Sequence, residues 1–275
     1  MGLRAGLVMA VVVGALAVGC TAQEPSAPGG SSAGMRAFDF GEAEWFDAMS
    51  GSTVRLAGGL AEQDPDPVVY PGGIAWRMLG PVAYTDIDGD GDEDAAAGLH
   101  GAGGQMFSSA WYLWLWQDGS AVQVRRPIAG VSRCEGPIES VTAKPGAISV
   151  RMLMTEVADT CAGGGAVPVT YDVGLRDGWP VRVAPEFGPI ELCNPRDLTD
   201  EVVPLGEVQL RVAGDERAPA VGERVRYSRV LINEIGASPY LPGHDAENWR
   251  LALGVLDTDS GPRRVCGWAR LAELH

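Results

Sequence analysis

The chain is poor in basic residues and in histidine. Among its 275 residues, 21 Lys and Arg stand against 36 Asp and Glu, which gives a formal net charge of −15. Because a nucleic-acid-binding surface must be basic to neutralise phosphates, this balance argues against a nucleic-acid partner. Only three histidines occur, His100, His244 and His275, and they form no H-E-x-x-H motif or other histidine cluster for a metal.

Catalytic motifs are also scarce. A Ser-His-Asp triad would need His100 or His244, but no G-x-S-x-G motif supports one. His244 follows Pro242 and Gly243, a sequence typical of a polar surface turn. Carboxylates are numerous enough for a glycosidase pair, yet nothing in the sequence selects two of them. This scarcity favours a protein that is not an enzyme, and the question stays open.

The apolar run at the N-terminus is too short for a confident membrane span. Residues 5–18 are apolar and uncharged after Arg4, a pattern typical of the core of a secretory signal. The run ends in Ala17-Val18-Gly19-Cys20, which resembles the lipobox of bacterial lipoproteins. That resemblance implies that Cys20 carries a diacyl anchor, palmitate included, on the outer face of the cell membrane. An ordinary cleaved signal or an uncleaved anchor is the alternative.

A segment rich in Pro, Gly and Ser follows over residues 21–34 and has nothing to bury, so we expect a flexible tether. The predicted organisation is a signal peptide over 1–19, the lipidated cysteine and tether over 20–36, and a β-rich domain over 37–200. A C-terminal β-rich part over 201–275 follows a proline-rich stretch and is also compatible with one continuous domain.

Four cysteines follow Cys20, namely Cys134, Cys161, Cys193 and Cys266. An even number in an exported chain predicts two disulfides, and four cysteines allow three pairings. We favour Cys134–Cys161 and Cys193–Cys266, because each pair joins segments expected to be adjacent in a meander. A zinc site is disfavoured, since the chain has no C-x-x-C motif and no neighbouring histidine. Free buried thiols are the alternative.

The densest chemical signal is segment 86–94, Asp-Ile-Asp-Gly-Asp-Gly-Asp-Glu-Asp. Carboxylates stand at loop positions 1, 3, 5 and 9 with a glycine at position 6, the spacing at which side-chain oxygens converge on one hard cation. Six acids in nine residues repel one another, and a divalent cation relieves that repulsion. We therefore expect structural calcium, with candidate ligands Asp86, Asp88, Asp90, Asp92 and Asp94. A solvated acidic turn without metal is the alternative.

This loop differs from an EF-hand, because position 12 is Ala97 and the flanking residues favour strands. The pattern D-x-D-G-D-G-x-x-D between strands resembles the calcium loops of FG-GAP and VCBS-type repeats. The resemblance implies four side-chain ligands and one carbonyl ligand: Asp86, Asp88, Asp90, Asp94 and, through its carbonyl, Asp92. A propeller needs several blades. Residues 257–261 match only the first part of the loop pattern, so they favour a simple turn rather than a second calcium loop.

The mature chain is dominated by the alternation and turn signals of strands. Asp118-Gly119, Lys144-Pro145-Gly146 and Asp177-Gly178 each separate two strand-like runs, so we expect successive antiparallel hairpins. The predicted fold is mainly β, an antiparallel meander that is sandwich-like or open-barrel-like, with two disulfides, and it is not a full propeller. At most one or two short helices are expected, one of them over residues 42–49.

An aromatic strand is predicted over residues 111–116, Trp-Tyr-Leu-Trp-Leu-Trp. In a strand, Tyr112, Trp114 and Trp116 share one face. If that face is exposed, the three rings offer a ligand platform that would stack on sugars. If the strand is central and covered on both faces, the same residues belong to the core, which a continuous apolar run favours.

The lipobox, the tether and the single Asp-rich loop together resemble actinobacterial secreted lipoproteins, and this resemblance implies a location rather than an activity. We expect a membrane-anchored binding or envelope-associated module, whose partner is an extracellular ligand or an envelope protein. Two other functions stay open. One is an enzyme acting on cell-envelope polysaccharide, and the other is an accessory subunit that docks a membrane complex.

Overall fold

The computed structural model describes residues 34–48, 50–64, 72–104, 106–132, 135–160, 164–233 and 247–274. The part from Ala33 to His275 forms one compact unit. Its strands are β1 (Glu44–Asp47), β2 (Ser52–Arg55), β3 (Leu60–Gln63), β4 (Ile74–Thr85), β5 (Asp94–Gly103), β6 (Met106–Gln117), β7 (Ser120–Gln123), β8 (Ala129–Ser132), β9 (Ile138–Lys144), β10 (Ala147–Met154), β11 (Val167–Arg176), β12 (Trp179–Ala184), β13 (Asp200–Val202), β14 (Arg229–Ile232), β15 (Trp249–Thr258) and β16 (Gly261–Arg270).

Helical structure is confined to short pieces in the described part of the chain. Two 3₁₀ turns span Met35–Ala37 and Phe40–Glu42, and one α-helix, α1, spans Leu271–Leu274. None of the helices in these ranges has the length and apolar composition needed to cross a membrane. The fold is therefore mainly β with one short α-helix, as the sequence predicts.

The first sheet has the strand order β3-β4-β5-β6-β7, with β8 also paired to β6, and all its pairings are antiparallel. The N-terminal segment packs on one face of this sheet and a second sheet packs on the other. Strand β6 is consequently buried on both sides. That position explains its continuous apolar sequence, because a doubly covered strand needs no polar alternation.

Aromatic side chains fill the core under the N-terminal segment. The rings of Trp45 and Trp114 meet edge to face with centroids 4.9 Å apart, and those of Phe40 and Trp114 do so at 5.5 Å. Tyr112 is fully buried, and its hydroxyl accepts a hydrogen bond from the Ala48 amide at 2.9 Å. The segment that follows the predicted tether is thus part of the fold.

The second sheet, in the order β12-β11-β10-β9, is an antiparallel meander. Its Val150 and Tyr171 pack with Trp111 and Leu113 of β6 in a shared core. The predicted Asp-Gly turns are present. Asp177 and Gly178 have φ angles of 52° and 79°, and Asp118 and Gly119 have φ angles of 50° and 78°, as two-residue hairpin turns of this type require.

The third sheet, in the order β13-β14-β15-β16, is also antiparallel and shares a core with Val181 of β12. A disulfide joins Cys193 to Cys266 of β16, with an S–S distance of 2.10 Å and Cα atoms 5.7 Å apart. This pairing confirms one of the two predicted disulfides. Cys134 and Cys161 lie outside the described residues, so the second disulfide stays a prediction.

A buried ion pair connects the first sheet to the third. Arg126, just after β7, donates to Glu191 at 2.7 Å, and both side chains are less than a tenth exposed. The other oxygen of Glu191 accepts the indole N–H of Trp268 in β16 at 3.2 Å. Because an uncompensated buried charge is costly, this contact requires both partners to be present.

One sequence expectation is wrong, and of the two alternatives for the aromatic strand the exposed platform is excluded. Residues 44–47 form strand β1 rather than part of a helix, because Trp45 and Asp47 alternate with more exposed neighbours at a period of two. Tyr112, Trp114 and Trp116 do not form an exposed platform, since their exposed fractions are 0, 3 and 9 %. The aromatic strand belongs to the core.

Candidate metal centre

The acidic loop closes the hairpin of β4 and β5. The last paired residues are Thr85 and Asp94, so residues 86–93 form the connection between strands, as the flanking sequence predicts. Gly89 and Gly91 have φ angles of 82° and 96°, in the left-handed region that favours glycine. The glycines therefore permit the folding of the loop over its own side chains.

Three of the five predicted ligands come together. One carboxylate oxygen from each of Asp86, Asp88 and Asp94 lies within 4.8 Å of the others. Asp90 and Asp92 are exposed and lie outside this cluster. The Asp90 carboxylate instead accepts the Asp92 amide at 2.8 Å. The spacing of the aspartates in the sequence identified the loop. In the structure, the carboxylates that converge are those at loop positions 1, 3 and 9.

Backbone amides hold the converging carboxylates in place. The two oxygens of Asp86 accept the amides of Gly89 and Gly91 at 2.8 and 3.1 Å, and Asp88 accepts the Asp90 amide at 3.2 Å. A carboxylate has about four lone-pair sites. Each group therefore retains capacity for a cation after making these bonds.

Asp94 has the most enclosed carboxylate of the cluster, with 1 % of the residue exposed. Its oxygens accept the amides of Ile87 and Trp116, both at 2.9 Å, so it joins the loop to the end of β6. Burial raises the pKa of Asp94 and of Asp88, and the charges of Asp90 and Asp86 raise the pKa of Asp88 further. The ionised cluster is unfavourable by itself, and a cation would offset that cost.

The donor set matches a hard cation. All three groups are carboxylates, and oxygen ligands suit calcium or magnesium rather than zinc. Calcium takes 6–8 oxygens, so three carboxylates leave positions for Asp90, loop carbonyls such as that of Asp92, or water. The chemistry of these oxygen ligands therefore fits calcium.

An arginine from the N-terminal segment reaches the same loop. Arg36 forms a two-point ion pair with Glu93, with N···O distances of 2.6 and 2.8 Å, and its guanidinium lies 4.6 Å from the ring centre of Tyr84. No local sequence pattern predicts this contact, because the two partners are 57 residues apart.

His100, one of the two histidines that a triad could use, has a different role. His100 Nδ1 lies 3.0 Å from the Ser109 hydroxyl, across the β5–β6 pair. Burial and the nearby charge of Arg77 lower the pKa of His100. No carboxylate within the described ranges bonds to this ring, so the pair is not a triad. His244 and Cys20 lie outside those ranges.

No family model matches the chain, and neither the curated proteins nor the solved structures include a match.

Proposed function

We propose that this chain is a membrane-anchored extracytoplasmic lipoprotein with a structural calcium ion, which acts as a binding or envelope-associated module. The calcium part of this proposal rests on the carboxylate oxygens of Asp86, Asp88 and Asp94, which lie within 4.8 Å of one another. The anchor part rests on the lipobox that ends at Cys20 and on the Pro/Gly/Ser segment after it.

The proposed role of calcium is architectural. The loop carries six acids, and two of the converging groups, Asp86 and Asp94, flank it at opposite ends. A cation shared by these ends would hold the hairpin closed and lower the repulsion between the carboxylates. Extracellular sites with dissociation constants of about 10⁻⁴ to 10⁻³ M still fill where calcium is abundant.

Neither alternative function gains support from the described surface. An exposed row of rings would support the polysaccharide enzyme, but those rings are buried. For the accessory subunit, Val203 and Leu205 are 64 and 80 % exposed, but single exposed aliphatic residues are normal on protein surfaces. The binding or envelope-associated module is therefore the function that we retain.

A thermal melt with and without calcium tests the metal site. We expect the fragment 33–275, which spans the compact unit, to melt about 5 to 10 °C higher at a hundredfold excess of calcium over its dissociation constant than in EGTA. This range follows from about 2.7 kcal/mol of linkage stabilisation in a domain of this size. The Asp88→Ala variant should lose most of the calcium-dependent shift, because one converging carboxylate is gone.

The matched control is Asp259→Ala, which removes an exposed aspartate from the β15–β16 turn. This variant should keep the full calcium shift. A wild-type protein with the same melting temperature in calcium and EGTA would show that the acidic loop is a solvated turn.

The anchor is tested by the mass of the protein extracted from host membranes. We expect a chain that begins at Cys20 and carries acyl groups. An unmodified soluble chain in the medium would contradict the anchor and leave the calcium result unaffected.

A further inference from the structure

A cleft of about 240 Å³ lies where the second sheet meets the third. Four apolar side chains line it: Met154 of β10, Val169 of β11, Leu253 of β15, and Leu192 from the segment after β12. The Cys193–Cys266 disulfide forms part of the wall. We call this feature the inter-sheet cleft. Its volume is below the roughly 300–1,000 Å³ typical of drug-sized ligands, so it suits a small molecule.

Three charged residues also line the inter-sheet cleft, namely Arg182, Arg264 and the exposed Glu186. Two arginines against one glutamate give a local excess of one positive charge in a chain whose formal net charge is −15. Neither arginine forms an ion pair with a carboxylate in the part of the chain that the structure describes. The charges of Glu186 and Glu191 act on Arg182 without a direct ion pair, so both guanidiniums can still form one with an anion.

The position of Arg182 is fixed before any ligand arrives. Its backbone exchanges two hydrogen bonds with Gly188, at 2.9 and 3.1 Å, and its Nε donates to the Glu186 carbonyl at 3.3 Å. A Cβ atom at position 188 would lie only 2.9 Å from Nη2 of Arg182, so glycine leaves room for the guanidinium. Burial lowers the pKa of Arg182, which means that this cation is incompletely solvated.

We propose that the inter-sheet cleft binds a small carboxylate with a short apolar chain. The arginines bind the carboxylate, since guanidinium and carboxylate match in charge and in geometry, and the four apolar residues cover the chain. A monoanion neutralises the local positive charge, whereas a dianion such as phosphate leaves an excess of negative charge beside Glu186. The proposal needs neither the calcium site nor the lipid anchor.

Hexanoate is a suitable probe. It is titrated into the full chain in zwitterionic nanodiscs in the presence of EGTA, and the heat of binding is measured by calorimetry. Empty nanodiscs serve as the blank. We expect a dissociation constant of about 1 mM or tighter. Hexan-1-ol should bind about tenfold more weakly or worse, because it forms no charge-assisted hydrogen bond. Inorganic phosphate should not compete. No binding of hexanoate, or equal binding of hexan-1-ol, would overturn the proposal.

Paired variants separate a specific site from general electrostatic attraction. Arg264→Gln should weaken hexanoate binding about tenfold, since one guanidinium is lost. Arg263→Gln, which removes the same charge from the neighbouring exposed residue of β16 that does not line the cleft, should leave binding unchanged. Glu186→Gln should tighten binding about twofold or more by removing a like charge. Equal losses in the two arginine variants, or weaker binding in Glu186→Gln, would contradict the assignment.

Discussion

The hairpins β4–β5 and β15–β16 differ most at their tips. The first tip bonds to three other parts of the molecule: Asp94 accepts the Trp116 amide, the Thr85 hydroxyl donates to the Lys144 carbonyl, and Glu93 pairs with Arg36. The second tip, as far as the described residues extend, bonds within its own turn, where the Thr258 hydroxyl contacts Ser260 and the Gly261 carbonyl.

The β15–β16 hairpin is instead fixed along its body. Cys266 is linked to Cys193, the indole of Trp268 donates to Glu191, and the backbone of Trp268 exchanges two hydrogen bonds with Arg211. Both hairpins are thus held along their bodies, the first by pairing with β3 and β6, but within the described residues only the first is also bonded to other segments at its tip. The acids of the first tip are thus part of the architecture, beyond any role in binding a cation.

The largest effect is expected from the bond that secures the second hairpin. Replacing Cys193 and Cys266 together by alanine opens a crosslink between residues 73 positions apart. Loop-closure entropy for that separation predicts a loss of about 4 kcal/mol in the free energy of unfolding. Urea unfolding of the double variant and of the wild-type protein, both without reductant, measures this loss. A loss below about 1 kcal/mol would mean that the Glu191–Trp268 contact suffices.

A smaller effect is expected at the first tip. Asp94→Ala leaves the buried amides of Ile87 and Trp116 without their acceptor. Unpaired buried donors cost roughly 1–3 kcal/mol each, which is about 2 to 6 kcal/mol for the two amides. Removing a buried carboxylate that Asp88 repels offsets part of this cost, so we expect a net loss of about 2 to 4 kcal/mol. Urea unfolding in EGTA separates this loss from any effect of calcium. The control Asp259→Ala, at the tip of the second hairpin, should stay within about 0.5 kcal/mol of wild type. Similar losses in both variants would remove the distinction between the tips.

The smallest effect concerns the contact of the first tip with the second sheet. Thr85→Val keeps the side-chain shape but removes the hydroxyl, which donates to Lys144 and accepts the Gly146 amide at 3.2 Å. We expect a loss of about 1 kcal/mol in urea unfolding. Thr258→Val is the matched substitution at the other tip and should cost less, because that residue is exposed. The reverse order would contradict the comparison.

Local sequence patterns, such as the residues at turns, predict much of the fold. Asp118-Gly119 and Asp177-Gly178 have the left-handed conformations that their turn type demands, so the hairpins around them follow from the sequence. The prediction of a helix over residues 42–49 is wrong because a four-residue strand has too few alternating apolar and polar positions to be recognised. In β1, only Trp45 and Asp47 reveal the buried face.

Contacts between distant segments were not predictable. The acidic loop was identified because its ligand spacing is local, and the Cys193–Cys266 pair because the segments were expected to be neighbours. Arg182 and Arg264, by contrast, meet at the inter-sheet cleft only after the second and third sheets have packed. No local pattern encodes which faces of two sheets will meet, so neither the cleft nor the Arg126–Glu191 pair had a sequence signal.

The aromatic core beneath the N-terminal segment also gives the protein an intrinsic tryptophan fluorescence signal. Trp45, Trp76, Trp114 and Trp116 are all buried in it. Four of the eight tryptophans lie in this core. Because indole fluorescence shifts to the red when water reaches the ring, opening of this core should shift their part of the emission without an added dye. A change confined to the N-terminal segment, which covers Trp114 through Phe38 and Phe40, would be visible while the two other sheets remain intact.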